Sequence, residues 1–284
     1  MKKILFLMAA ILVGSMTDVS AQEVNTAPFL TDSLRPNGIN YIAEPPAMTS
    51  GAFYDDFYYY QWGKEQRQDA DIAEKALSDE GALLRDAFSE AFGLQMTYET
   101  TPEILKLVET ATNDAYLANK KVKDYYQRKR PFAQFNEPSL KPEEDETEAL
   151  TFSYPSGHTS RGWMFALVLS TIAPERTAQL MVRAQEYALN RVICGHHWKS
   201  DTEASLVLIA GVFSNVVVCD GYQAQLKKAR EEYKALKGET TAVRAAKTDS
   251  EESAAIYDLQ GRRYDSVPSQ SSVYVHGQQK ILVK

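Results

Sequence analysis

Between residues 66 and 236 the apolar positions recur at three- and four-residue spacing, as along Leu105, Val108, Thr112, Ala115 and Tyr116. That spacing gathers apolar side chains on one stripe of an α-helix and predicts amphipathic helices that pack on one another. Helices are expected over 66–76, 81–92, 101–128, 156–172, 174–191 and from 197 to about 236, with Pro102 and Pro174 near first turns, where a helix tolerates proline. Residues 22–50 carry no such period and are punctuated by Pro28, Pro36, Pro45 and Pro46, and 52–62 is crowded with aromatic residues. Near the end the period changes to alternation. Ile256-Tyr257-Asp258-Leu259, a Gln260-Gly261 turn, Val273-Tyr274-Val275 and Ile281-Leu282-Val283 read as short strands. The expected fold is an all-α helical bundle with a short C-terminal β tail.

The first residues do not belong to that bundle. Lys2 and Lys3, an apolar run over 4–13 and the small-residue ending Val19-Ser20-Ala21 read as a secretory signal, 1–21, cut after Ala21. No Cys follows the run, so lipid attachment at this point is not indicated. What remains divides into a helical domain at 22–237, a polar linker at 238–255 and the β tail at 256–284. The most apolar later stretch, 204–219, is interrupted by Ser205, Ser214 and Asn215 and is shorter than the roughly 20 residues a span needs. It reads as a buried core helix, and no stable membrane insertion is expected once the signal is removed.

A chain of 284 residues with 44% apolar content can bury one sizeable core, and its net charge of -7 argues against a nucleic-acid partner, which is met by clustered Lys and Arg. Cys194 and Cys219, both in apolar surroundings, read as buried free thiols in preference to a disulfide. The acidic run 142–148 reads as a solvated connection between helices, with an active-site lid as the second reading.

Three of the four histidines fall in two short motifs. Tyr154-Pro155-Ser156-Gly157-His158 stands where a loop enters a helix; free backbone N-H groups, a glycine that admits an anion and the Ser156 hydroxyl make a phosphate cradle there, although Ser-Gly before a helix is most often only a cap. In Arg191-Val192-Ile193-Cys194-Gly195-His196-His197-Trp198-Lys199-Ser200-Asp201, Gly195 should break one helix and a second should start at about His197. Asp201, four residues on, would then share its face and could orient the imidazole, or simply hydrogen-bond to it. Lys123 and Arg130 would project from one helical face if the helix reaches Arg130, with Pro131 ending it; with Lys120, Lys121, Arg128 and Lys129 nearby, the alternative is a solvated basic face. No His-Glu-x-x-His or divalent-metal carboxylate cluster is present, and Ser200 stands six residues after Cys194, where a cysteine phosphatase needs Arg.

Together the pieces read Lys-x6-Arg-Pro, Pro-Ser-Gly-His and Arg-x5-His-x3-Asp, and here the sequence resembles the superfamily of type 2 phosphatidic acid phosphatases and vanadium haloperoxidases, in particular the bacterial class A non-specific acid phosphatases. The likeness spans about residues 40–235. It implies a metal-independent acid phosphatase acting on small phosphomonoesters, with no cofactor. Lys123, Arg130, Arg191, Ser156 and Gly157 would hold the phosphoryl oxygens. His197 would be the nucleophile, Asp201 its orienting partner, and His158 the acid that protonates the leaving alcohol and then the base that activates water. Asn190 replaces the family's Ser, and His196, often Tyr in these enzymes, is expected at the site rim. Vanadate-dependent halide oxidation is the second enzymatic reading, and a phosphate-binding module without turnover the non-enzymatic one. Membrane lipid-phosphate hydrolysis is disfavoured, since the mature chain offers no set of spans. The tail resembles a shortened type IX secretion sorting domain, so the periplasm is the first expected location and the cell surface or medium the second. Contact of that tail with export machinery and a homo-oligomer remain open.

Overall fold

The computed structural model describes residues 27–252 and, beyond them, 256–258, 263–264, 272–276 and 279–283; the signal stretch 1–21 lies outside these. The helices in chain order are α1 (Phe53–Gln66), α2 (Ala70–Gly81), α3 (Leu84–Phe92), α4 (Pro102–Tyr126), the short α5 (Pro131–Phe135) and α6 (Asp145–Glu148), then α7 (Gly157–Ile172), α8 (Thr177–Ile193), α9 (Lys199–Val216) and α10 (Asp220–Glu252). The helical architecture expected from the apolar period is present.

At the centre stands α7, which buries Trp163, Met164, Phe165, Ala166, Val168, Leu169 and Ile172. A helix apolar on all sides has to be surrounded, and α4, α8 and α9 surround it. From α4 come Ile104, Leu105, Leu107, Val108, Ala111, Ala115, Ala118 and Val122. Phe88 of α3 fills the remaining gap, its ring 5.5 Å from Phe165 and 5.8 Å from Tyr187. The irregular segment 27–50 is strapped to this core by Asp114, a buried residue of α4 that accepts the N-H groups of Phe29 (2.8 Å) and Leu30 (3.2 Å) and pairs with Arg35.

Several boundaries differ from expectation, each for a local reason. The aromatic stretch 52–62 is itself helix α1, and the helix expected over 66–76 is the end of α1 followed by α2, because the Asp69 side chain caps the N-H groups of Asp71 and Ile72. The long helix expected from 197 to 236 is two helices, bent by 91° between Lys199–Val216 and Asp220–Gly238. On α9, Leu206 and Val207 are 40% and 49% exposed, so this helix is core on one side only. Most of the expected linker continues α10 as far as Glu252. Cys194 is buried and Cys219 half-buried, and both are free thiols. Among the described residues no single helix is long and apolar enough to cross a membrane, although the bent pair meets that test jointly by length and composition. Past α10, the strands β1 (Ile256–Asp258), β2 (Arg263–Tyr264), β3 (Ser272–His276) and β4 (Gln279–Val283) pair antiparallel in the order β2-β1-β3-β4.

Helices α1 and α8 approach closely at Gly63, where a Cβ would stand 2.9 Å from the Val192 carbonyl oxygen and 3.3 Å from Ile193 Cα. Both obstacles are backbone, so no rotamer change relieves the overlap. Gly63→Ala is expected to lower stability by about 1–3 kcal/mol, the usual range for overpacking, as read from chemical denaturation midpoints; an unchanged midpoint would show that α1 is free to shift.

Candidate active site

Three chain segments converge at one end of α7. The first does so by a route that the sequence spacing did not anticipate. Helix α4 ends at Tyr126, Gln127 takes a left-handed conformation (φ 48°) and Arg130 is extended (φ -70°, ψ 152°), so Lys123 and Arg130 do not share a helical face. They meet because the chain turns back between them. The extended piece is clamped: Ser153 N donates to Arg128 O (2.8 Å), and Ser153 Oγ (3.2 Å) and Trp198 Nε1 (2.9 Å) donate to Lys129 O.

The second segment starts α7. Ser156 is its N-cap, with Oγ accepting Thr159 N at 3.3 Å, so the hydroxyl proton is still available to a ligand. The remaining free N-H groups of the first turn and the helix dipole favour an anion. Gly157 lies beside Lys123, since a Cβ there would be 3.8 Å from Lys123 Cε. The third segment follows α8. Gly195 breaks the chain direction with φ 82°, conformation open mainly to glycine, and delivers His196 and His197 into the site. His197 precedes α9 and does not sit on it as expected; the N-cap is Trp198, whose N-H donates to Asp201 Oδ2 at 2.8 Å.

Arg130 Nη1 lies 3.2 Å from His197 Nε2. A guanidinium can only donate, so Nε2 is the acceptor and the imidazole proton resides on Nδ1. That Nδ1 is 3.4 Å from Asp201 Oδ2, just outside hydrogen-bond geometry. The ring is thus turned with a lone pair toward the arginine and a proton toward the carboxylate. Burial first, and then Arg130, Lys123 and Arg191, hold the His197 pKa well below the ordinary histidine value. His158 is depressed in the same way, by burial and by Arg191 and Arg161; its ring faces Tyr187, with centroids 6.4 Å apart. Burial, reinforced by Arg130, pushes Lys123 down to about 7. Asp201 is raised by burial against the opposing pull of Arg128 and the Trp198 N-H. Lys123, Arg130, Arg191, His158, His197 and Asp201 are thus linked electrostatically, while Ser156 N donates to Asp201 O at 3.1 Å and Gly157 lies beside Lys123.

Arg191, 1% exposed, is paired with Glu80 of α2, and its Nε is buried without a partner. Burial alone would raise the Glu80 carboxyl, but Arg191 and His196 outweigh it and hold it far below the usual carboxylate range. His196 is not at a rim: it is fully buried, with Nδ1 3.1 Å from Arg191 Nη2 and 3.3 Å from Glu80 Oε2, and Nε2 3.1 Å from Ser139 Oγ. Asn190 donates to Asp79 at 2.7 Å, which also pairs with Arg183, so it supports α8 and not the anion.

Sequence reasoning also passed over Arg128 and Asp56. Arg128 stood among lysines and read as part of a solvated face, yet it is nearly buried and bridges Asp201 Oδ1 and Asp56 Oδ2, each at 2.6 Å, while lying 5.0 Å from the Trp198 ring centroid. Asp56 in turn accepts the N-H of Ser200 (2.8 Å) and its hydroxyl (2.6 Å). With Arg128 on one oxygen and Trp198 N on the other, Asp201 cannot rotate. The one available hint was the alternation Arg128-Lys129-Arg130, which in an extended piece puts the two arginines on the same side.

Comparison with known proteins shows the family. Residues 104–225 match the family model of the PAP2 superfamily. A non-specific acid phosphatase of Providencia stuartii is 35% identical over 222 residues, covering 76% of this chain and 89% of its own length. One from Salmonella typhimurium is 34% identical, with 72% and 83% covered, and an acid phosphatase of Zymomonas mobilis is 28% identical, with 77% and 84% covered. By these matches the chain belongs to the PAP2 superfamily, among the relatives of its bacterial non-specific acid phosphatases.

Proposed function

We propose that this protein is an acid phosphatase that hydrolyses small phosphomonoesters through a phosphohistidine at His197, without a metal. The observation that carries the reading is the imidazole orientation, with the Nε2 lone pair turned to Arg130 in a pocket that also holds Lys123 and Arg191. A phosphoryl group entering there takes the three cations, the Ser156 hydroxyl and the Gly157 N-H on its oxygens. Nε2 then attacks phosphorus in line while the bond to the ester oxygen breaks and His158 gives that oxygen a proton. The imidazolium formed keeps its Nδ1 proton on Asp201. In the second half His158 takes a proton from water, the water oxygen attacks phosphorus, and the phosphorus-nitrogen bond breaks to release phosphate. Charge on the equatorial oxygens is met by fixed cations, the main requirement of phosphoryl transfer. Among the described residues no group of three or more His, Cys, Asp or Glu is arranged to hold a metal ion. The Lys2-Lys3 start, the apolar run and Ala21 support export, to the periplasm first and to the surface or medium second.

On these roles, His197→Ala abolishes turnover of every substrate, whereas His158→Ala slows substrates with poor leaving groups most, because acid assistance grows with leaving-group basicity. Steady-state rates on a series of aryl and alkyl phosphates separate the two; an equal loss across the series in His158→Ala would contradict its assignment.

Turnover of p-nitrophenyl phosphate persists in EDTA, and vanadate, which adopts five-coordination, inhibits more tightly than phosphate. Activity lost to EDTA and restored by magnesium or zinc would overturn the metal-free reading.

The pH dependence has a definite sign. Lys123, with a pKa near 7, holds phosphate as a cation and loses that charge as pH rises through 7. His158 must be protonated to act as acid, and its depressed pKa likewise confines that form to acid solution, while neutral His197 persists there because its own pKa is depressed too. The inhibition constant of inorganic phosphate is therefore expected to rise above pH 7. In Lys123→Met that rise should be reduced, on top of weaker binding throughout; an identical profile in the variant would assign the titration elsewhere.

A further inference from the structure

The substrate-free site already holds an anion of its own. Glu148, the last residue of α6, places Oε2 2.6 Å from Arg130 Nη2, and its carbonyl oxygen accepts Arg130 Nε at 3.2 Å. Thr151 Oγ1 accepts the same guanidinium at 3.0 and 2.8 Å and donates to Glu148 O at 2.9 Å. The carbonyl of Phe152 accepts Lys123 Nζ. Two of the three cations assigned to the phosphoryl group are thus engaged by residues 148–152, which start where the acidic run 142–148, read as a solvated connection, ends. Arg130 keeps its Nη1 group turned toward His197 Nε2 and the His196 carbonyl.

The tether holding this segment is slight. Helix α6 is one turn long and buries none of its residues. Asp145 anchors it to the neighbouring loop, accepting Ser139 N at 2.9 Å through Oδ2, while Oδ1 is buried without a hydrogen-bond partner, 4.0 Å from His196 Nε2. The Glu148 side chain is 32% exposed against 8% for Arg130, so water reaches the carboxylate far more easily than the guanidinium. A single half-solvated carboxylate is the weaker partner of a buried guanidinium, whereas a phosphoryl group brings several oxygens and meets Lys123, Arg191 and the α7 N-terminus at the same time.

We propose that Glu148 is an internal competitor for the phosphoryl site: its carboxylate occupies Arg130 in the resting enzyme, each incoming phosphate displaces it, and the exchange sets the affinity for substrate and product. This rests on the reading that Arg130 receives phosphoryl oxygens. Observed affinity is the intrinsic affinity multiplied by the fraction of molecules in which Arg130 is released. Glu148 therefore raises KM and the inhibition constants of phosphate and of any other anion that needs the guanidinium, such as sulfate, by one common factor.

The test compares the mature full-length chain with Glu148→Gln, Glu148→Ala, Glu146→Gln and Arg130→Lys, measuring KM for p-nitrophenyl phosphate, inhibition constants for inorganic phosphate and sulfate, and thermal midpoints. In both Glu148 variants KM and the phosphate constant are expected to fall together, by about tenfold for a carboxylate that holds Arg130 nine-tenths of the time, with the sulfate constant falling by the same factor. Glu146→Gln, which removes an equal charge from an exposed position on the same helix, should move neither constant. Should Arg130→Lys weaken phosphate binding while the Glu148 variants leave both constants unchanged or raise them, the competitor role is overturned and the site reading stands. Should Arg130→Lys leave phosphate binding unchanged, the site reading itself fails. A gain of equal size in Glu146→Gln would assign the effect to overall charge and also overturn the proposal. Two Glu148 variants of different size keep the result readable if one of them has a lowered thermal midpoint.

Discussion

Four cationic side chains, Lys123, Arg128, Arg130 and Arg191, are enclosed between the ends of α4, α7, α8 and α9, and taking a charge out of water is costly unless it is paired. Much of what surrounds the site follows from that constraint. Arg191 takes Glu80, Arg128 takes Asp56 and Asp201, Arg130 takes Glu148 and the His196 carbonyl, and Lys123 takes the Phe152 carbonyl. The pairings are unequal. Those of Arg128 are buried on both partners and fixed in two directions, while the Glu148 contact to Arg130 opens toward solvent on the carboxylate side. The fixed pairs orient the site, and the open one leaves an arginine that an anion can capture.

The same concentration of positive charge governs the two histidines. An imidazole surrounded by cations and removed from water resists protonation, which keeps His197 neutral into acid solution. The same surroundings disfavour protonation of His158, which is buried beside Arg191 and Arg161, so an anion entering there would ease the protonation of both rings.

The helical class and the motifs were legible because both are written in local spacing. The apolar period marks the helices, and Pro-Ser-Gly-His marks a helix start whatever surrounds it. What was not legible depends on chain reversals. Gln127 in a left-handed conformation is unremarkable in sequence, yet it ends α4 early and swings Arg130 across the pocket. Likewise nothing adjacent to Arg128 announces that it will be buried, because the carboxylate that claims it, Asp56, lies 72 residues upstream on a helix that read as an aromatic run. His196 was misplaced for the same reason: its surroundings come from Glu80 and Ser139, both distant in sequence.

The position of Asp56 has a consequence for assembly. It belongs to α1, the first helix of the described chain, and it holds Ser200 and Arg128 beside Asp201 at the start of α9. The clamp on Asp201 is therefore complete only when the first helix has closed against residues more than 140 positions later, a long-range contact of the kind that forms late in folding. A chain that has made most of its helices but not docked α1 would carry all three motifs and still lack the full clamp on Asp201. Complete assembly of this end of the bundle is thus a condition on the site, set by a contact between residues 56 and 200.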